Sequence, residues 1–290
     1  MIGVARREVL EESDTMENPR GILRPGAVGE LFSLDRPLPP PDLSGVIDHH
    51  WIVRWDLRGR PSHRSEVITH PAVHVVFEPT GAFVYGVRRR RDTRIIAGAG
   101  WAVGTKFLPG GFTGLAGRPL ADLTDSVLPL GDVFGPAGLA LEAAAAQQDD
   151  PAAKLALLND HLRSRCLTAE PDVTLVREVV AAMRTATPGT TVDDLAAAHH
   201  VSTRTLQRLF RRHVGVGPKW VLQRYRLHEA LEQLEDRAGA DWTRLALDLG
   251  YFDHAHFIRD FRAVTGRTPA TYEREARSVR RQADAIPEAG

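Results

Sequence analysis

Leu195-Ala196-Ala197-Ala198-His199-His200-Val201-Ser202-Thr203-Arg204-Thr205-Leu206-Gln207-Arg208-Leu209-Phe210 decides the fold, because it returns further along the chain. Leu195-Ala196 recurs as Leu245-Ala246. One extra residue in the second turn then sets Arg208 against Arg259, Phe210 against Phe261, Gly215 against Gly266 and Pro218 against Pro269. Each copy reads helix, turn, helix and a Gly-x-x-Pro stop. In the first, Asp193 and Asp194 open a helix with Val192, Leu195 and Ala196 on one face. His199-His200-Val201 makes the turn, and the Ser202 hydroxyl is an N-cap for a helix from about Thr203 to His213. That helix has an apolar stripe of Leu206, Leu209, Phe210 and Val214, and Arg204, Gln207, Arg208 and Arg211 stack on its other face.

The polar face has the chemistry that reads base edges: arginine bonds guanine at two points and glutamine does the same to adenine. No acidic residue stands between Asp194 and Glu229, while Arg204, Arg208, Arg211, Arg212, Lys219, Arg224 and Arg226 supply positive charge. An ordinary solvated face would mix acids in; this one suits a polyanion. In the second copy, Asp241 or Trp242 opens a helix to Leu249, and Gly250 occupies a left-handed turn position. Asp253 caps a helix from His254 to Val264 that buries Phe257, Phe261 and part of Ile258. His254, Ala255, His256, Arg259 and Arg262 face outward. Asp260 makes this face less basic, so it should lean more on phosphates. Between the copies, Trp220 to Glu235 reads as a connecting helix with Val221, Leu222, Tyr225, Leu227, Leu231 and Leu234 inward.

Gly250-Tyr251-Phe252-Asp253-His254-Ala255-His256-Phe257-Ile258-Arg259-Asp260-Phe261-Arg262, followed by Gly266-Arg267-Thr268-Pro269-Ala270-Thr271-Tyr272, closely resembles the signature of AraC/XylS-type bacterial transcription regulators. The segment Leu195 to Pro218 is similar to that family's first helix-turn-helix. The resemblance covers about Leu175 to Arg274. It implies an all-α DNA-binding domain whose two recognition helices enter successive major grooves, roughly 34 Å apart. Carried over by position, Arg204, Gln207 and Arg208 would read bases from the first unit, and His254, Ala255 and Arg259 would contact DNA from the second. Ser202, Thr203, Arg211, Arg212, His256 and Arg262 complete the expected DNA contacts. His200 stands where the family usually has glycine; histidine tolerates positive φ better than most residues.

The 290 residues allow two domains, and equal numbers of basic and acidic side chains argue against a surface that coats nucleic acid everywhere. A lone cysteine, Cys166, fits a reducing compartment and reads as a helix-end hydrophobe. The N-terminus has no signal-peptide core, and no run reaches the length of a membrane span, so a cytoplasmic location is expected. Residues 1–20 should be loose.

From Gly21 to Gly135 short apolar runs are broken by glycine and proline. Strands are expected at Val46–Val53, Val73–Phe77, Phe83–Val87, Thr93–Ala97 and Ala102–Phe107, in hairpins closing into a small barrel or sandwich. Helices follow at Gly138–Gln148 and Pro151–Arg165. The leucines of the latter, Leu155, Leu158 and Leu162, suit either dimerisation or packing on their own barrel. Trp51-Ile52-Val53-Arg54-Trp55-Asp56-Leu57, Lys106 to Phe112 and Leu123-Thr124-Asp125 resemble one branch of the cupin-like sensory domains joined to AraC-type regulators. That resemblance implies a domain for effector binding or dimerisation and no particular ligand.

The whole chain is therefore expected to be α+β: a β-rich cupin-like barrel with a helical extension over 21–166, a linker at 167–174 hinged near Pro171, an all-α DNA-binding domain over 175–275 and a tail at 276–290. Trp51, Trp55, His70, His74, Trp101 and Lys106 are the effector-binding candidates, against the plainer reading of tryptophans and histidines as core. His70, His74 and Glu78 would share a strand face only if the strand is unbroken, and Pro71 and Pro79 interrupt it, so no metal and no cofactor is expected. Arg88 to Arg91 suits an anionic effector, DNA or a solvated loop. No nucleophile elbow, phosphate loop or paired-cysteine motif appears. The expected function is a sequence-specific transcription regulator and not an enzyme. Its expected partners are promoter DNA, a small-molecule effector, RNA polymerase and a second copy of the chain. The alternatives are a cupin-like metal enzyme with a DNA-binding tail and a ligand-independent DNA binder.

Overall fold

The apolar runs of the N-terminal half pair into two antiparallel sheets in the computed structural model, which describes residues 22–23, 31–165, 170–236, 244, 246–247, 250–251 and 253–275. The strands are β1 (Ile22–Leu23), β2 (Phe32–Asp35), β3 (Ile47–Leu57), β4 (His63–Val67), β5 (His74–Glu78), β6 (Gly81–Tyr85), β7 (Asp92–Ile96), β8 (Gly98–Phe107) and β9 (Val127–Pro129). One sheet runs β2-β3-β8-β5-β6-β9 and the other β1-β4-β7. The sheet spine is the long ladder of β3 with β8, bulged between Ile47 and His49.

Side chains alternate between the faces of that spine. Ile52, Val75, Phe77, Val103 and Phe107 point into the main core. Trp51 and Trp55 point the other way, each opposite a glycine, Gly104 and Gly100. The indole of Trp51 lies where a Cβ on Gly104 would be, 2.1 Å away, so the glycine is the seat of the tryptophan. The small sheet closes over this second face: Ile96 packs with Phe32 and Leu57, and Trp55 Nε1 donates to the Ala97 carbonyl.

Against the main core face lie α1 (Thr113–Ala116), α2 (Leu130–Phe134), α3 (Pro136–Ala146) and α4 (Pro151–Arg163). Leu155, Leu158 and Leu162 of α4 join the cluster built on Val103 and Phe107. Of the two uses open to that leucine stripe, packing on its own domain is the one realised.

The C-terminal half is helical: α5 (Pro171–Arg184), α6 (Val192–Ala198), α7 (Thr203–His213), α8 (Pro218–Asp236), α9 (His254–Thr265) and a last helix over 269–275. Residues 171–174, expected in a linker, are the first turn of α5. Pro171 occupies its N1 position, where a fixed φ and a missing N–H suit a helix start, so it opens a helix rather than breaking the chain. Val173, Val176, Val180 and Met183 recur at helical spacing and are buried. Two apolar clusters organise this half. Val221 and Leu222 of α8 join the one around α5 and α7; Leu227, Ala230 and Leu231 join the one around Phe257 and Phe261. One long helix thus sits in both cores and fixes the two units to each other. The expectations for residues 1–20, Cys166, most of 241–249, the Leu234 side chain and the tail 276–290 lie outside the described residues.

Candidate nucleic-acid interface

The first unit is built by its caps. Thr191 Oγ1 accepts from Asp194 N at 3.1 Å and the Asp194 carboxylate accepts from Thr191 N at 2.8 Å, a reciprocal capping box that starts α6. The turn carries His200 at φ 55°, the left-handed conformation expected at that position. Ser202 Oγ then accepts from Thr205 N at 3.1 Å and starts α7. Leu206, Leu209, Phe210 and Val214 are fully buried. That orientation fixes the opposite face: Arg204, Gln207, Arg208, Arg211 and Arg212 are all exposed. Two of the expected contact residues are engaged inside the protein. Ser202 is the cap, and Thr203 Oγ1 donates to Asp193 Oδ1 at 2.5 Å.

The second unit repeats the plan. Gly250 has φ 75°, which glycine adopts without a Cβ clash. Asp253 Oδ1 accepts from His256 N at 2.6 Å and caps α9. Phe257 and Phe261 are buried, with Tyr251 and Tyr272 stacked edge-on against them. Ala255, Arg259 and Arg262 are exposed; His254 is half-buried. His256 Nε2 lies 3.4 Å from Asp260, and its ring meets Tyr251 edge-on.

Both units are docked on the N-terminal domain. The buried His213 at the end of α7 lies with Nδ1 3.3 Å from Thr113 Oγ1, and Thr124 Oγ1 donates to the Gly215 carbonyl at 2.7 Å. On α5, Arg177 Nε donates to the Pro109 carbonyl. At the second unit, Arg91 donates to the Thr265 carbonyl at the end of α9, and Arg267 Nη2 meets Glu66 Oε2 of β4 at 2.6 Å. The rings of His70 and His228, one from each half, stack at 4.0 Å. These contacts escaped the sequence because nothing local marks them. The acid-free run that contains Arg224 was a signal, but it pointed to DNA, whereas Arg224 is buried between the halves.

The effector candidates divide. Trp51 Nε1 donates to His74 Nδ1 at 3.2 Å, and Lys106 pairs with His74 across the β5–β8 ladder. Lys106 Nζ contacts Asp48 at 2.9 Å; against the upward pull of burial, the His49 hydrogen bond and then Lys106 keep that carboxyl below its ordinary range. Burial pushes His74 down to about 3, and beside it Lys106 and His70 are lowered by the same cause. Trp51, His74 and Lys106 therefore form one cluster, while His70 stacks on His228. Trp55 sits with Phe32 and Ile96 further along the face. Trp101 lies on the other face, opposite Arg54, beneath the Lys154 ammonium at 4.6 Å. His70 precedes β5 and turns to His228, so the strand face that would have joined His70, His74 and Glu78 is not formed.

Residues 195–275 match the family described as a helix-turn-helix domain, and residues 35–129 match a domain of unknown function, DUF6597. No curated protein matches the chain. Among solved structures, it is similar to a transcriptional regulator of the AraC-type DNA-binding domain-containing proteins from Chromobacterium violaceum, with 25% identity over 36% of this chain and 92% of that one and a TM-score of 0.33. A probable AraC family transcriptional regulator from Rhodopseudomonas palustris shows 28% identity over 36% and 97%, TM-score 0.33. ToxT from Vibrio cholerae shows 8% identity over 84% and 97%, TM-score 0.36. No helix among the described residues is long and apolar enough to cross a membrane. The helix-turn-helix match falls on the paired units described above, and DNA-binding transcription regulation is the function it supports.

Proposed function

We propose that the chain is a sequence-specific transcription regulator of the AraC type, with α7 and α9 in successive major grooves of promoter DNA. One observation carries this reading most: Arg204, Gln207, Arg208 and Arg211 form an exposed face on α7 with no internal hydrogen bond or ion pair among the described residues. Elsewhere in the chain exposed Arg54, Arg58, Arg89 and Arg163 each have a carboxylate, and exposed Arg60, Arg90 and Arg118, without an ion pair among the described residues, are not gathered on one helix face. Arginines left without one suit a partner that comes from outside. Arg204, Gln207 and Arg208 read base edges; Arg211, Arg212, Arg259 and Arg262 fix register through phosphates. Ser202, Thr203, His254 and His256, being engaged or half-buried, shape the approach, while Ala255 admits close contact.

The N-terminal domain is the sensor, and an effector enters at the Trp51, His74 and Lys106 cluster. It acts only through different affinities for two arrangements of the halves. RNA polymerase and a second copy of the chain are its protein partners. The domains divide at 166–170, with α5 belonging to the DNA-binding half. Selection of bound sequences from a random duplex pool tests the proposal: it should yield one motif with two contacted blocks about 10 base pairs apart. Recovery of the input pool would refute it.

A further inference from the structure

A cleft of about 810 Å³ separates the loop after β6 from the C-terminal half. Its lining sets five guanidinium groups, Arg88 to Arg91 and Arg224, against three carboxylates, Asp92, Asp125 and Asp260. Two of those carboxylates already have guanidinium partners, Asp125 in Arg89 at 2.6 Å and Asp92 in Arg94 at 3.3 Å and Arg88 at 3.6 Å, while Asp260 lies 3.4 Å from His256. Arg224 is only 2% exposed, and the partners of its guanidinium are main-chain carbonyls, those of Arg89 at 2.7 Å and Thr69 at 3.4 Å. The Trp220 ring lies beneath it at 4.5 Å. Arg88 reaches the Asp125 carbonyl at 3.3 Å and Asp92 at 3.6 Å, but its Nε is buried without a hydrogen-bond partner, and exposed Arg90 has no ion pair among the described residues. A guanidinium taken out of water without a counter-charge is costly. Burial accordingly lowers Arg224 to about 10.

We infer that this cleft binds a small, multiply charged anion bearing phosphate or carboxylate groups, held by Arg88, Arg90 and Arg224. The volume is that of a small-molecule site. A bidentate guanidinium matches either oxyanion. The walls come from both halves, and Arg224 belongs to α8, so the anion bridges the N-terminal domain and the helix shared by the two C-terminal units. Bound there, it stabilises the docked arrangement over any in which the halves part. This consequence for DNA rests on the regulator reading; the binding itself does not.

Calorimetric titration of inorganic pyrophosphate, and separately of citrate, into the full chain tests the site. One saturable equivalent is expected, and the tighter of the two probes distinguishes phosphate from carboxylate chemistry. Arg90→Ala and Arg88→Ala should each weaken binding about tenfold. Arg58→Ala, in an ion pair with Asp56 after β3, should leave it unchanged. Arg224→Met should abolish it; if that variant does not fold, Arg88→Ala and Arg90→Ala decide. The inference is overturned if neither probe saturates or if Arg58→Ala weakens binding as much as Arg90→Ala. It is also overturned if Arg90→Ala reduces duplex affinity while neither anion binds, which would make the loop a DNA contact. Saturable binding by a protein that retains no duplex would uphold the site and refute the regulator.

Discussion

The two recognition helices differ both in what they show to solvent and in how they are tied down. α7 presents Arg204, Gln207, Arg208 and Arg211, and its end is held mainly by neutral groups: buried His213 against Thr113, with Asp172 3.9 Å from its Nε2, the Thr124 hydroxyl on the Gly215 carbonyl, and Val214 and Val216 in the apolar cluster. α9 presents Arg259 and Arg262 with Asp260 between them, and charges hold its end: Arg91 on the Thr265 carbonyl and Arg267 on Glu66. Apolar seating is little affected by salt, whereas even a partly buried ion pair responds to nearby charge. The first unit is thus seated mainly by apolar packing and neutral hydrogen bonds, the second by guanidinium contacts around Glu66 and the arginine loop.

The largest effects should show where the units are alike. Phe210 and Phe261 occupy matching core positions and both are fully buried. Phe210→Ala and Phe261→Ala should each destabilise by about 3–5 kcal/mol in urea unfolding; a twofold disparity would break the equivalence of the two cores. Next comes the difference in attachment. Glu66 is 6% exposed and ion-paired with Arg64, Arg91 and Arg267. Glu66→Ala should cost about 1–3 kcal/mol, because Arg91 loses its carboxylate and Arg267 keeps only Glu275. Hydrogen exchange should then show α9 amides losing protection before those of α7; simultaneous loss would contradict the division.

A third comparison is on DNA. Arg208→Ala should cost about 1–3 kcal/mol at the selected site and relax one base pair, with Arg259→Ala at the lower end. Arg212→Ala should weaken all sequences alike and reduce the salt slope by about 1. Identical behaviour of Arg208→Ala and Arg212→Ala would undo the separation of base reading from phosphate contact.

The smallest effect concerns pH. Burial lowers His213 beneath the ordinary histidine value of 6.5, and lowers His50 to about 4. A histidine held neutral in the fold binds its proton more readily when unfolded, so its stabilisation is complete above 6.5 and fades as the pH falls through the folded value. Melting temperatures should therefore drop between pH 6.5 and about 4. His213→Gln should flatten that slope while the salt dependence stays as it was. An unchanged slope would remove His213 from the account.

Much of the C-terminal half was legible because its information is local. The Ser202 and Asp253 caps, the left-handed positions at His200 and Gly250, and the spacing of Leu206, Leu209 and Phe210 each act within one or two turns. β4 was missed because its His-Arg-Ser-Glu-Val sequence is polar; it is a strand whose Glu66 is buried by arginines from elsewhere in the chain. β2 and β9 are short and owe their form to the strands they pair with. The division among Trp51, Trp55 and Trp101 depends on strand register, which composition does not reveal. The role of Arg88 to Arg91 depends on what the other half of the chain brings to them.

A regulator of this kind requires two distinct helices to read two neighbouring stretches of one duplex. Missing-contact footprinting on a selected duplex, with wild type, Arg208→Ala and Arg259→Ala, examines both helices at once. The wild type should protect two major-groove blocks about 10 base pairs apart, and each variant should lose one block and keep the other. Loss of the same block by both variants, or a single block with the wild type, would contradict it.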